Sequence, residues 1–223
     1  MRKISYVLTF FLATAILILN AFSARQTNWV VTKDQDHVEG HISVRYGLDK
    51  RCERQVIFVP IDPDPSDPSK NKGRLAYTDY VCRKFPTRVT DACETDNAGF
   101  CAAWTSAGYL EELAIGFGAI ALFAILVGVS SGSRRRRVWR AVSGLILLQA
   151  ALQIIVFAIV THELRTAGYP AFKGGSFGGA YILHVATWIA GILLGGAVIT
   201  TGISADRGHK WAAGNRAYQP IDG

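Results

Sequence analysis

The sequence predicts a membrane α-helical fold: a four-helix transmembrane bundle with a small, disulfide-stapled antiparallel β-sheet in the first extracellular loop. Apolar residues cluster into four stretches of roughly 20 residues, the length that crosses the hydrocarbon core of a bilayer. All four cysteines lie in the polar segment between the first two stretches. An even number of cysteines in one such segment is typical of disulfides on an oxidising side of a membrane.

The boundaries follow from this pattern. We expect transmembrane helices at 4–24, 109–131, 138–161 and 180–203, a sheet-containing extracellular loop at 25–106, a cytosolic basic turn at 132–137, a second extracellular loop at 162–179 and a cytosolic tail at 204–223. The apolar stretches within the last three helices, Leu113–Ser131, Ala141–Val160 and Ala180–Ile203, contain no Asp, Glu, Lys or Arg. Charge at the bilayer centre is costly, so this absence supports the membrane prediction.

The net charge of +7 is concentrated beside the helices. Residues 25–106 carry 12 basic and 12 acidic side chains, whereas the N-terminus and the segment 132–140 carry the excess of basic ones. This distribution follows the positive-inside rule and predicts that both termini are cytosolic. It indicates the lipid bilayer as a partner and not nucleic acid. The basic residues that indicate the cytosolic side are Arg134, Arg135, Arg136 and Arg137. The same residues are suited to binding anionic lipid headgroups.

The first apolar stretch also has features of a secretory signal peptide. It follows a basic start and ends near the small residues Ala21 and Ser23. Its apolar run is longer than a usual signal core, so we expect it to be retained as the first span. Cleavage would leave three spans in the same orientation.

The cysteines allow three pairings, and sequence alone does not choose among them. We expect Cys52–Cys82, which would staple two strands, and Cys93–Cys101, which would close a short loop.

Strand patterns occur in the same loop. Apolar residues alternate from Val38 to Leu48, which predicts a half-buried strand. Gln55–Val59 and Leu75–Phe85 are two further strand candidates. The segment between them is rich in Pro and Asp, which predicts an exposed excursion.

A sequence motif in this loop resembles the claudin superfamily, which includes peripheral myelin proteins and calcium-channel γ subunits. Trp29 follows the first span, and Gly47-Leu48-x-x-x-Cys52 comes about eighteen residues later. Asp49 replaces the second Trp of the family pattern and Cys82 comes later than usual. The resemblance is therefore to divergent, fungal-type claudin-like tetraspans. It implies a plasma-membrane protein active in membrane organisation, adhesion, cell-surface integrity or stress sensing.

Polar and small residues inside the predicted spans are further candidates. Gln149 and Gln153 lie one turn apart, so we expect them to hydrogen-bond to a neighbouring helix. Gly191 and Gly195 have the spacing that lets helices approach closely, and we expect them to pack inside the bundle. We expect Glu111 and Glu112 to begin the second span.

The leading functional prediction is a non-enzymatic scaffold, adhesion protein or accessory subunit. We expect neighbouring membrane proteins or further copies of the chain as partners, and no metal or cofactor. A channel or transporter using Gln149, Gln153 and Glu111/Glu112 is the alternative, and a redox subunit with haem between His162 and His184 is a third. No Cys-x-x-Cys pair, His-Glu-x-x-His motif or phosphate-binding loop is present, so we predict no enzyme.

Overall fold

The computed structural model describes residues 3–34, 42–60, 73–130 and 132–213. The chain forms two compact units. The helical unit comprises Met1–Ala24, Ala107–Ala158 and Ile182–Gly223, and the sheet unit comprises Arg25–Ser106 and Ile159–Tyr181.

In the described part of the chain, four helices are long and apolar enough to cross a membrane. They are α1 (Lys3–Arg25), α2 (Ala98–Ser130), α3 (Gly132–Thr166) and α4 (Gly179–Asp206), and a short α5 (Lys210–Ala213) follows. The first and fourth agree with the predicted spans within a few residues. The helix count predicted from the apolar stretches is thus confirmed.

Helix α2 begins at Ala98, earlier than the predicted start at 109. Residues 98–110 are mostly Ala, Gly, Ser and aromatic residues, which carry no strong membrane signal and yet sustain a helix. At 33 residues, α2 is about 50 Å long, whereas the hydrocarbon core measures about 30 Å. The prediction that Glu111 and Glu112 begin this helix is therefore wrong.

The basic segment 132–137 is helical and not a turn, because α3 begins at Gly132. Arginine is a good helix former, and no Pro interrupts the segment. The side chains of Arg134–Arg137 lie outside the described residues, so their predicted contact with lipid headgroups stays a prediction.

The core of the helical unit is apolar and draws on all four long helices. Its buried side chains include Tyr6 of α1, Ile125 of α2, Ile146 of α3 and Val198 of α4.

Glycines on α4 face α3 within this unit. A Cβ atom added at Gly195 would lie 2.7 Å from a methyl carbon of Leu147, and one added at Gly191 would lie 3.4 Å from Cβ of Ala150. Close approach of two helices requires small residues at such positions. The two glycines thus occupy packing positions between α3 and α4.

The sheet unit is built on a five-stranded antiparallel sheet with the strand order β6-β3-β2-β1-β7. A separate two-stranded sheet pairs β4 with β5. The strands are β1 (Val30–Asp34), β2 (Ile42–Tyr46), β3 (Lys50–Arg54), β4 (Val56–Pro60), β5 (Gly73–Tyr77), β6 (Val81–Lys84) and β7 (Ser176–Phe177). The edge strand β7 lies in the connection between α3 and α4, which we call the second connection. Two distant parts of the chain therefore share one sheet.

The strand predictions are partly correct. The alternating pattern coincides with β2, in which Val44 and Tyr46 are buried, although residues 35–41 lie outside the described residues. The candidate Leu75–Phe85 is two strands in different sheets. The chain turns at Thr78, whose amide donates a hydrogen bond to the carbonyl of Gln55 at 2.9 Å. The Pro/Asp excursion at 61–72 also lies outside the described residues.

Replacement of Gly195 by Val tests the packing of α4 against α3. Because Leu147 would have to move, we expect Gly195→Val to lower the free energy of unfolding by about 1–3 kcal/mol. Gly196→Val is the matched control, since a Cβ atom there meets no atom within 4 Å, and it should change stability by less than about 0.5 kcal/mol. Thermal unfolding in detergent measures both, and equal losses would contradict the predicted packing.

Candidate functional site

Two disulfides staple the sheet unit. Cys52 of β3 pairs with Cys82 of β6, and Cys93 pairs with Cys101 in the first turn of α2. This is the pairing that we expected. The first bridge joins neighbouring strands, and the second anchors the segment after β6 to the start of α2.

The residues of the claudin-like motif are buried and serve the sheet unit's architecture. Trp29 is fully buried, and Leu48 and Cys52 are 5% and 2% exposed. Gly47 lies in the turn between β2 and β3, where a Cβ atom would lie 2.8 Å from the carbonyl oxygen of Gln26. A side chain at this position would collide with backbone, so the turn requires glycine.

Aromatic side chains form the core of the sheet unit. Tyr46 packs edge to face on Phe85 and Phe172, with ring centroids 5.1 and 5.0 Å apart. The indole N–H of Trp104 on α2 donates a hydrogen bond to the carbonyl of Gly47 at 3.1 Å. The first turns of α2, the sheet and the second connection thus share one apolar core.

A buried carboxylate joins three parts of the sheet unit. The side chain of Asp91 has no exposed area, and its oxygens receive hydrogen bonds from the Arg83 guanidinium at 2.8 and 2.6 Å. The backbone amide and the hydroxyl of Thr87 donate to it at 2.8 and 2.9 Å, and the hydroxyl of Tyr169 donates at 3.0 Å. Asp91 therefore links β6, the segment after it and the second connection.

These contacts determine the protonation of the site. Burial alone would raise the pKa of the Asp91 carboxyl, but the hydrogen bonds from Arg83, Thr87 and Tyr169 outweigh it and hold the pKa well below its usual range. Burial and the neighbouring Asp91 carboxylate raise the pKa of Tyr169 to about 12. Asp91 is thus ionised and Tyr169 neutral across the physiological range.

One face of the five-stranded sheet carries a cationic patch. Arg45 lies opposite Cys52 and Ser43 lies opposite Arg54, so these side chains share a face. The guanidinium carbons of Arg45 and Arg54 lie 4.5 and 5.5 Å from the ring centroid of Tyr80, within the range of cation–π attraction. We call Arg45, Arg54 and Tyr80 the cationic patch.

The helical unit contains a buried polar cluster that joins three helices. Oε1 of Glu111 on α2 lies 3.3 Å from Nδ1 of His184 on α4, and their side chains are 1% and 0% exposed. Nε2 of His184 lies 2.9 Å from the backbone oxygen of Gln153 on α3. The side-chain amide of Gln153 donates to the hydroxyl of Thr187 at 3.2 Å. We call Glu111, Gln153, His184 and Thr187 the polar cluster.

This cluster was only partly predictable. Gln153 makes the expected bond to a neighbouring helix, whereas Gln149 is buried and its amide nitrogen has no hydrogen-bond partner among the described residues.

Glu111 lies about three and a half turns into α2 and is buried, while Glu112 is exposed. Asn20 of α1 is also fully buried, and neither of its amide atoms is paired within the described chain. The sequence signal for this residue is a single Asn within an apolar run, and our sequence analysis did not use it.

The arrangement at His184 does not suit haem ligation. Both ring nitrogens face protein oxygens, one at 3.3 Å and the other at 2.9 Å. A ligating histidine needs one ring nitrogen directed at the iron. His162, the other candidate ligand, is exposed.

Residues 174–178 read Gly-Gly-Ser-Phe-Gly, which matches the Gly-x-Ser-x-Gly pattern of serine hydrolases by letter. Ser176 lies on β7, and its hydroxyl donates to the backbone oxygen of Val31 at 3.4 Å. Among the described residues, no histidine or carboxylate contacts Ser176. Within the described part of the chain, Ser176 therefore has no side chain placed to act as its activating base.

In comparisons with known proteins, the chain matches no family model and no curated protein.

Replacement of Asp91 tests its role in the sheet unit. We expect Asp91→Asn to lower the free energy of unfolding by about 3 kcal/mol, because Arg83 loses a buried ionic partner. Asp79→Asn removes an exposed carboxylate and should have little effect. Thermal unfolding and protease resistance measure the change, and equal behaviour of the two variants would contradict the role.

The same carboxylate predicts the acid sensitivity of the sheet unit. Since the pKa of folded Asp91 is depressed, its stabilisation is present above the unfolded value of about 3.9 and is lost progressively as pH falls below it. Unfolding followed from pH 6 to pH 2 should show a loss of stability that is smaller in Asp91→Asn. An identical acid limb in the variant would refute this assignment.

Proposed function

We propose that this chain is a non-enzymatic, claudin-like tetraspan of the plasma membrane. It acts in membrane organisation, in adhesion and cell-surface integrity, or as an accessory subunit, through the sheet unit on the non-cytosolic side. The motif residues Trp29, Gly47, Leu48 and Cys52 support this proposal, because they lie together around the β2–β3 turn and the stapled strands. Two disulfides are consistent with an oxidising compartment.

The observation that most favours a binding role is the cationic patch. Arg45 and Arg54 are half-buried and stack on Tyr80, so their guanidinium groups are held in place before any partner arrives. Pre-organised Arg and Tyr side chains are the residue types that dominate protein interfaces. The patch is therefore suited to an acidic surface on a neighbouring protein.

Lateral association in the membrane is supported by the helices. Exposed large apolar side chains cover α1, including Leu8 at 58%, Phe11 at 64% and Phe22 at 57%. Such a surface suits lipid tails or the helices of another membrane protein.

Purification in mild detergent, with mass spectrometry of the recovered proteins, tests the binding role. We expect a partner at fixed stoichiometry whose recovery falls about tenfold in Arg45→Glu/Arg54→Glu, as for the loss of an interface hot spot. Arg88→Glu reverses one charge at an exposed position, half of the change in the double variant, and should retain the partner. Intact disulfides in each variant control for folding. Equal recovery in all three proteins would contradict binding at the patch.

A channel or transporter component is the second candidate, and the polar cluster is the observation that favours it. Ionisable residues inside membrane helices often mark ion or proton pathways. Flux of cations, anions and protons into liposomes containing the purified protein separates the candidates. The scaffold proposal expects no flux above empty liposomes. A selective flux that disappears in Gln153→Leu would favour transport.

A further inference from the structure

We propose that the Cys52–Cys82 disulfide is a site of thiol–disulfide exchange with a thiol that has acidic groups beside it. The incoming thiolate attacks Sγ of Cys82 and forms a mixed disulfide with it. The electron pair of the broken bond leaves on Sγ of Cys52, which becomes a thiolate, so the step needs no separate oxidant or reductant. The inference does not rest on the scaffold function, because it concerns the reactivity of one bond in the sheet unit.

The two sulfurs of this bond differ in access. Cys52 is 2% exposed, and its strand β3 lies between β2 and β6. Cys82 lies opposite Cys52 on β6, which is an edge strand of the sheet, and is exposed. The course of an exchange depends on which sulfur a thiolate can reach. Cys82 is therefore the sulfur that is attacked, and Cys52 is the leaving group.

The disulfide lies on the sheet face that carries the cationic patch. Residues opposite each other on neighbouring strands share a face, as do residues two apart on one strand. In the described parts of β2, β3 and β6, this rule places no Asp or Glu on the face of the disulfide. The charged residues that it places there are all basic: Arg45, Lys50, Arg54 and Lys84.

These basic side chains favour the exchange. The attacking thiolate is an anion, and a group of cations raises its local concentration. Lys50 and Lys84 are exposed and lie opposite each other. Each is two residues from the cysteine of its own strand, about 7 Å along the strand. Like charges in such a pair repel each other, and an incoming anion relieves the repulsion.

The leaving sulfur also has a cation beside it. Arg45 lies opposite Cys52 on β2, and its guanidinium is held over the ring of Tyr80 at 4.5 Å. Neighbouring Arg and Lys side chains favour the thiolate over the thiol, and a thiol that ionises readily leaves faster. Arg45 thus assists the step in which Cys52 departs.

The second disulfide has the opposite surroundings. Cys101 is 7% exposed and Cys93 is half-buried. Glu94 and Asp96, which are close to Cys93 in sequence, are both exposed, and their negative charge disfavours a thiolate nearby. The Cys93–Cys101 bond is therefore an internal control for the reactivity of the first disulfide.

Strand β6 has other attachments that remain when the Cys52–Cys82 bond opens. On the opposite face of the sheet, the Arg83 guanidinium donates to the buried carboxylate of Asp91. At the end of the strand, the amide of Phe85 donates to the carbonyl of Asp49 at 3.0 Å. Exchange at Cys82 therefore leaves β6 in the sheet.

The test uses the full-length protein in mild detergent and reduced glutathione, an anionic peptide thiol, at about pH 8 and low ionic strength. The reaction is stopped with N-ethylmaleimide, and mass spectrometry locates each product. We expect glutathione on Cys82 and maleimide on Cys52, formed about tenfold faster than any product of Cys93–Cys101. Glutathione on Cys52, equal or faster reaction of Cys93–Cys101, or no product at either bond overturns the proposal.

Charge variants distinguish the effect of the cations from that of exposure alone. Lys50→Gln/Lys84→Gln should lower the initial rate with glutathione about fivefold, as for two charges lost about 7 Å away in water. Arg88→Gln/Lys173→Gln is the matched control, because it removes two exposed cations outside the strands, and it should keep the wild-type rate. In about 0.5 M salt, wild type and the Lys50/Lys84 variant should react alike. An unchanged rate in that variant at low salt overturns the proposal.

Discussion

The carboxylate of Asp91 joins the connection between α3 and α4 to strand β6 and the segment that follows β6. It is fully buried and binds Arg83 on the sheet, Thr87 in the next segment and Tyr169 in the second connection. A buried anion is stable only when such donors surround it, so the three segments must be in place together. The disulfides act differently, since they also restrict the unfolded chain. The ring of Tyr169 packs on Phe85 and Phe100, so the bond to Asp91 also fixes a member of the aromatic core.

Inside the helical unit the constraint is the cost of burying polar side chains. A buried polar group is costly unless it pairs with another group of the protein. The side-chain amide of Gln153 donates a hydrogen bond to the hydroxyl of Thr187, and Oε1 of Glu111 lies 3.3 Å from Nδ1 of His184. The small residues Gly191 and Gly195 let α3 and α4 come close enough for such contacts. Close packing and polar pairing thus support each other across the same helices.

The sequence allowed the helices, the presence of disulfides and β2 to be predicted, because each has a local signal. Apolar runs of bilayer length identify the spans, and alternation identifies β2. Strand β3 has no such signal, since Lys50–Arg54 is largely charged and becomes a strand through its pairing with β2 and β6. The position of Glu111 well inside α2 was not predicted, because the weakly polar residues before it give no signal of where the helix begins. Asp91 was missed because nothing in the sequence indicates that Tyr169, 78 residues away, donates a hydrogen bond to it.

The central claim is that a tetraspan presents the sheet unit to the non-cytosolic side of the membrane. Single cysteines test it directly, because all four native cysteines are in disulfides. Val89 is 89% exposed in the sheet unit, and His209 is exposed after α4. With a membrane-impermeant maleimide, Val89→Cys should be labelled in intact cells and His209→Cys only after permeabilisation. Labelling of both in intact cells, or the reverse order, would contradict the account.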